Sequence, residues 1–179
     1  MKTAEKIVIT GSPGTGKTVI IETLLRRGCI CFPEISRTVT LEARAQGIAQ
    51  LFLEDGLLFS RKLLERRIRQ FCEAETYPGK TVFLDRGIPD ILAYMDYAGE
   101  AYPPSFTEAC KKYRYNRVFF LPLWEEIYTT DSERYENFQQ ATVIDRYLKK
   151  TYRTYGYDYI EVPVGNVYQR VDFIMNRLK

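Results

Sequence analysis

Short apolar runs alternate along the chain with stretches of helical periodicity, the pattern of βαβ units building a parallel sheet. Lys6–Thr10 reads as a first strand. From Thr18 onward Ile20, Ile21, Leu24 and Leu25 fall on one helical face, and Gly28 supplies the stop. Cys29–Phe32 is a second short strand ended by Pro33, and a long helical region follows from Val39 to Ala74, with a break expected near Asp55-Gly56. Thr81–Asp85, Asn116–Leu121 and Tyr159–Val162 supply three more strands, and Val167–Leu178 a closing helix with Val171, Ile174 and Leu178 on one face. Continuous runs such as Val82-Phe83-Leu84 suit strands covered on both sides. Five buried strands with helices between them predict a three-layer α/β/α sheet of the doubly wound kind, with ligands bound outside the carboxyl ends of the strands. No internal repeat, low-complexity tract or linker breaks the pattern, so residues 1–179 are read as one domain.

Composition removes several classes of chemistry. With 45% hydrophobic and 27% charged residues the chain can bury a real core, which excludes disordered, collagen-like and coiled-coil classes. A net charge of +3 is too small to argue for a nucleic-acid partner. The absence of histidine rules out Cys/His zinc sites, Ser-His-Asp triads and histidine bases. Four cysteines are few for a disulfide scaffold; Cys29 and Cys31 alternate on a strand and read as small buried hydrophobes of a reducing compartment. The apolar run Ile7-Val8-Ile9 is too short for a secretory leader, and no stretch approaches the roughly 18 apolar residues of a membrane span. A cytoplasmic protein without a membrane span is the expectation.

The strongest chemical signal is Gly11-Ser12-Pro13-Gly14-Thr15-Gly16-Lys17-Thr18, which matches GxxxxGK[ST] at every fixed position. Glycines let backbone N–H groups curl around phosphate oxygens, Lys17 reaches the β- and γ-phosphates, and the Thr18 hydroxyl ligates Mg²⁺. The loop opens the first helix, whose dipole also favours an anion. Chance produces such a match in roughly one chain of this length in 150, and the strand before it and helix after it are the required context. A nucleoside triphosphate is the expected ligand.

The rest of the chain selects among P-loop proteins. No Asn-Lys-x-Asp guanine signature and no ABC-type signature is present, and Asp96-Tyr97-Ala98-Gly99 lies at the end of a helical stretch, where a switch DxxG does not belong. An AAA+ lid domain is not expected either, because few residues follow the fifth strand. A small kinase-like fold remains. Asp85 and Arg86 fall at the carboxyl end of a central strand, where a carboxylate holds Mg²⁺ through water or takes a proton from an attacking hydroxyl. Arg86 is placed to clamp an acidic group or the moving phosphoryl. Glu34 and Arg37 follow the second strand onto the same edge, so Asp85 and Glu34 divide the roles of metal ligand and base, in an order the residues leave open.

Asp90 and Tyr94 share a helix face just beyond Arg86, positioned to hydrogen-bond a sugar or base, or to pair with Arg86 or Arg37. The polar stretch Glu125–Tyr135 stands where small kinases carry a mobile lid, with Arg134 the candidate lid arginine and Arg146 behind it on the next helix. Pro163 and Val164, in the loop after the fifth strand, are candidates to lie against the purine. The basic helix Arg61–Arg69 reads as a solvated face, with attraction to an acidic substrate or anionic membrane surface as the alternative.

The segments GSPGTGKT, FPEISR, FLDRGIPDILAY, EEIYTTDSERYENFQQA and YGYDYIEVP followed by VYQRVDFI resemble, in order and over residues 5–178, the AAA-type ATPase domains similar to the ribosylnicotinamide kinase domain of NadR. The resemblance implies a P-loop core with strand order 2-3-1-4-5, Mg-ATP or Mg-GTP at Gly11–Thr18, Asp85 near the metal or acting as base, Arg86 and Glu34 at the acceptor site, and Arg134 in the lid. Animal relatives that resemble this group bind GTP and phosphoinositides and carry a further C-terminal domain, which this sequence lacks, as it lacks the adenylyltransferase part of NadR. The leading expectation is a small-molecule kinase that moves the γ-phosphoryl of ATP or GTP to a hydroxyl of a nucleoside-like acceptor not identified by the sequence. The alternative is a nucleotide switch with slow hydrolysis and a protein or phosphoinositide partner.

Overall fold

The computed structural model describes residues 3–127 and 136–178. Five parallel strands, β1 (Glu5–Thr10), β2 (Ile30–Phe32), β3 (Thr81–Asp85), β4 (Arg117–Phe120) and β5 (Ile160–Glu161), form one sheet in the order β2-β3-β1-β4-β5, the order expected. Register places Ile9 of β1 beside Asp85 and Thr10 beside Phe120, so the strands end together at one edge.

Side chains alternate across the sheet with a period of two, as strand geometry requires. Ile7, Ile9, Phe83 and Phe119 face one layer, made by α1 (Lys17–Arg26) and α8 (Val167–Asn176) through Ile20, Ile21, Leu24, Val171 and Ile174. Val8, Leu84 and Val118 face the other, made by α2 (Ser36–Ala45), α3 (Leu51–Glu54), α4 (Gly56–Ala74), α5 (Ile88–Ala98), α6 (Pro104–Lys112) and α7 (Phe138–Thr154). Both faces of the central strands are therefore dry, which is why β1, β3 and β4 read as unbroken apolar runs. Among the described residues no helix is long and apolar enough to cross a membrane.

Several expectations change in detail. The helical region over 39–74 is three helices. One break comes at Gly47, in the left-handed region at φ 86°, and the expected one at Asp55, whose side chain caps α4 by accepting from the Leu58 N–H at 2.8 Å. Leu25 does not join Ile20, Ile21 and Leu24 in the core; it is 48% exposed, because an added 100° of helical turn carries it past the edge of the buried stripe. Cys29 and Cys31 share a face against the α1–α8 layer, half-buried at the sheet edge, and all four cysteines are free thiols.

Candidate active site

The phosphate-binding sequence occupies the turn between β1 and α1. Gly11 has φ 149°, and a Cβ there would lie 2.5 Å from the Leu121 carbonyl oxygen, so a larger residue is excluded twice over. Thr15 Oγ1 donates to the Ser12 carbonyl at 3.0 Å, closing the loop on itself. Lys17 is buried and its ammonium donates to the carbonyls of Gly11 at 2.8 Å and Ser12 at 2.7 Å. Burial, then the nearby Arg86, pull its pKa down to about 7 against the opposing pull of Asp85, Glu34 and Asp90. Pro13, Gly14 and Gly16 line the half-open rim, and Thr18 stands exposed on the first turn of α1. The buried Ser12 Oγ has no partner among the described residues.

Beside this loop the ends of β2 and β3 bring Glu34, Asp85 and Arg86 together, with Asp90 from the first turn of α5. Arg86 is the one described non-glycine residue with positive φ, 72°, held there by its N–H bond to the Ile9 carbonyl at 3.0 Å. Its guanidinium donates from Nε to Glu34 Oε1 at 3.1 Å and from Nη1 to the Gly11 carbonyl and Asp90 Oδ1, both at 3.2 Å. Tyr94 lies under that guanidinium, 5.3 Å from ring centre to Cζ. Arg86 thus ties the acidic cluster to the phosphate loop through one planar group.

The two candidate carboxylates are tuned in opposite directions. Burial alone raises the Glu34 carboxyl, but Arg86, a hydrogen bond from Ser36 Oγ at 2.7 Å, Lys17 and Arg67 outweigh it and hold it at about 2. Asp85 is pushed up to about 6 by burial and by Glu34, against Lys17, Arg86 and Arg67. Its Oδ1 is buried and has no hydrogen-bond partner among the described residues.

Asp90 pairs with Arg86. It is wholly buried, and its oxygens accept from Thr10 Oγ1 at 2.5 Å, Arg86 Nη1, the Gly87 N–H at 2.8 Å and the Tyr152 hydroxyl at 2.5 Å. Four donors on two oxygens leave little for a ligand, so Asp90 is a brace beneath the site. Arg37 is exposed on the first turn of α2, Arg146 is exposed on α7, and Pro163 and Val164 are exposed in the turn before α8. Arg134 lies outside the described residues; of the polar stretch Glu125–Tyr135, Glu125–Ile127 form a short 3₁₀ turn.

Two buried arginines were not singled out by sequence. Arg67, within the basic helix Arg61–Arg69 expected as a solvated face, is only 3% exposed and donates to the Gly87 carbonyl at 2.7 Å. Arg170 of α8 is 4% exposed and donates to the Thr15 carbonyl at 3.0 Å. One signal marks both: a cation sits in the apolar stripe of its helix, Arg67 beside Leu63 and Leu64, Arg170 beside Val171 and Ile174. Gly87 is packed as tightly as the arginine that grips it. A Cβ there would meet the Tyr152 hydroxyl at 2.9 Å, Tyr115 Cε2 at 3.0 Å and Val8 Cγ2 at 3.2 Å. Gly87→Ala is therefore expected to cost about 1–3 kcal/mol of stability, read as a lower urea midpoint with an unchanged m-value.

Known proteins carry the same frame. The family model described as "AAA domain" matches residues 6–170. Among solved structures, deoxyadenosine kinase from M. mycoides superposes with a TM-score of 0.69 at 17% identity, covering 97% of this chain and 98% of its own. Thymidylate kinase from Candida albicans gives 0.71 at 15% identity, covering 98% and 91%. NadR, solved in complex with NR, gives 0.68 at 14% identity, covering 97% of this chain and 50% of that one. No curated protein gave a significant sequence match. At these identities the structural neighbours establish the three-layer P-loop fold, while the family model covers nearly the whole sequence: the chain belongs to the AAA domain family.

Proposed function

We propose that the protein is a small-molecule kinase that transfers the γ-phosphoryl group of ATP or GTP to a hydroxyl of a nucleoside-like acceptor. The observation that carries this reading is the Arg86–Glu34–Asp85 cluster, with Arg86 and Asp85 buried and Glu34 half-buried against the phosphate loop, and wired to it through the Gly11 carbonyl. A protein that only bound nucleotide has no evident use for two carboxylates of opposite tuning beside the phosphates. Kinase neighbours of the same fold, acting on deoxyadenosine and thymidylate by their names, support the substrate class.

In this reading the phosphate chain lies on the loop's N–H groups with Lys17 on its outer phosphates. The acceptor hydroxyl oxygen bonds to the γ-phosphorus, the bond from that phosphorus to the β–γ bridging oxygen breaks, and the electron pair leaves on the nucleoside diphosphate. The hydroxyl proton passes to Asp85 or Glu34; Asp85 has the higher proton affinity, and Glu34 orients Arg86. Lys17, Arg86 and a lid arginine, for which Arg134 is the candidate, neutralise the charge that spreads over the phosphoryl oxygens. Mg²⁺ fits the donors present, since the Thr18 hydroxyl is exposed and Asp85 Oδ1 has no partner among the described residues. When bound, the ion supplies charge neutralisation to the β- and γ-phosphates. Pro163 and Val164 then border the base, and Tyr94 and Arg37 the acceptor.

The direct test is release of ADP and GDP from Mg-ATP and Mg-GTP, with and without a panel of nucleosides that includes ribosylnicotinamide. One acceptor is expected to raise release at least tenfold with appearance of its phosphorylated product, and Lys17→Ala to abolish the effect. Nucleotide binding with no acceptor-stimulated release would overturn the kinase reading in favour of a switch.

A further inference from the structure

We propose that Arg170 is a nucleotide-positioning residue, a cation that the last helix delivers to the phosphate loop and that acts on the phosphates through the Thr15–Gly16 peptide. The inference rests on the reading of Gly11–Thr18 as a nucleotide site, and it does not depend on phosphoryl transfer.

The fold places Arg170 where a hydrophobe belongs. Helix α8 seals one face of the sheet with Val171 and Ile174, both fully buried, and Arg170 lies in the same stripe. Among the described residues its Nε has no hydrogen-bond partner and no carboxylate pairs with it. Lys6 is paired with Glu75 at 2.5 Å and Arg86 with Glu34 and Asp90. Arg67, whose Nε is likewise unpartnered, donates to the Gly87 carbonyl but lies beside the Glu34 and Asp85 carboxylates, and Lys17 donates to carbonyls of the phosphate loop itself. An apolar side chain would pack at this position at lower cost than a desolvated charge bonded only to a neutral carbonyl. Packing therefore does not account for the arginine, whereas an anion on the loop does. Burial accordingly pulls its pKa down.

Geometry says how the charge acts. Nη1 donates to the Thr15 carbonyl at 3.0 Å. Across a planar trans peptide the carbonyl and the next N–H point in opposite directions, so anchoring the Thr15 oxygen on Arg170 turns the Gly16 N–H away from α8. Loop N–H groups are the donors that cradle phosphate. Gly16 sits in the left-handed region at φ 86°, and a Cβ there would lie 3.1 Å from Arg170 Nη1, so glycine at 16 and arginine at 170 fit each other. The guanidinium thus fixes one peptide of the cradle and adds positive potential behind it.

Titration calorimetry of wild type, Arg170→Met and Arg170→Gln with Mg-ATP, Mg-GTP and inorganic tripolyphosphate tests this, alongside thermal melts without ligand. Arg170→Met is expected to melt at or above the wild-type temperature and to bind all three probes at least tenfold more weakly, by a common factor. Arg170→Gln, which keeps a donor for the Thr15 carbonyl but no charge, is expected to weaken binding less than Arg170→Met and still measurably; it carries the test if the methionine variant fails to fold. Unchanged affinity in either folded variant would overturn the proposal, and so would a loss confined to one nucleotide, which assigns Arg170 to base recognition. Failure of the kinase reading shows separately, as turnover that no acceptor stimulates while the affinity loss in Arg170→Met persists.

Discussion

Asp85→Asn is expected to lower acceptor-dependent turnover about 1,000-fold while making the unliganded protein more stable. The two effects have one origin. Burial and the neighbouring Glu34 carboxylate raise the Asp85 pKa from its ordinary 3.8 to about 6. An acid whose folded pKa is raised contributes stability that is fully present below 3.8 and lost as pH rises through about 6. At pH 7 the ionised side chain is therefore a liability, on the order of 3 kcal/mol. Asparagine removes the charge without changing the shape. Melts in nucleotide-free, metal-free buffer should show Asp85→Asn several degrees above wild type at pH 7 and no gain near pH 4.

Glu34→Gln should do the reverse. Its folded pKa of about 2 lies below the ordinary 4.5, so its contribution is present above 4.5 and fades as pH falls toward 2. Removing that charge leaves the buried Arg86 short of a partner, so Glu34→Gln is expected to melt below wild type at pH 7. A lower melting temperature for Asp85→Asn at pH 7 would show that its carboxylate is a stabilising partner instead of a strained functional group.

The largest stability loss is expected at Asp90, which a ligand-centred reading would treat as a contact residue. Asp90→Ala strips acceptors from Thr10, Arg86, the Gly87 N–H and Tyr152 at once, all in a region with no access to water. Breaking a buried charged network by removing one partner costs about 3–5 kcal/mol. For a chain of this size that is a fall in Tm of roughly 10 °C. Tyr152→Phe deletes a single donor and should cost about 1–2 kcal/mol. Chemical denaturation of the pair against wild type checks the ranking, and similar midpoints for Asp90→Ala and Tyr152→Phe would show that the hydroxyl bond carries most of the network.

The brace explains why the first turn of α5 is built as it is. Asp90 accepts from the Gly87 N–H while the Gly87 carbonyl accepts from Arg67, so the turn after Asp85 is held from both sides. That grip supports Arg86 in its left-handed conformation, which costs about 1–3 kcal/mol for a residue with a Cβ. The strained arginine in turn reaches both Glu34 and the Gly11 carbonyl. Tertiary contacts from α4 and α7 thus preset the distance between the acidic cluster and the phosphate loop.

Sequence by itself determined the strands, the phosphate loop and the set of residues that follow each strand. Those features are local: continuous apolar runs mark strands buried on both faces, and the glycines at 11, 14 and 16 mark backbone with positive φ, which a Cβ disfavours. The helix breaks at Gly47 and Asp55 and the exposure of Leu25 were at the margin, because helical periodicity over a long amphipathic stretch fits several phases almost equally well. Tertiary structure alone decided the electrical state of the site. Whether Asp90 contacts a ligand or braces Arg86 depends on Thr10 and Tyr152, distant in sequence and supplied by other elements. The opposite tuning of Asp85 and Glu34 depends on which cations lie beside each in the folded chain, and Arg67 and Arg170 enter the site only because their helices bury them. A local pattern can mark a residue for burial, but which charges then lie beside it is a property of the packed molecule.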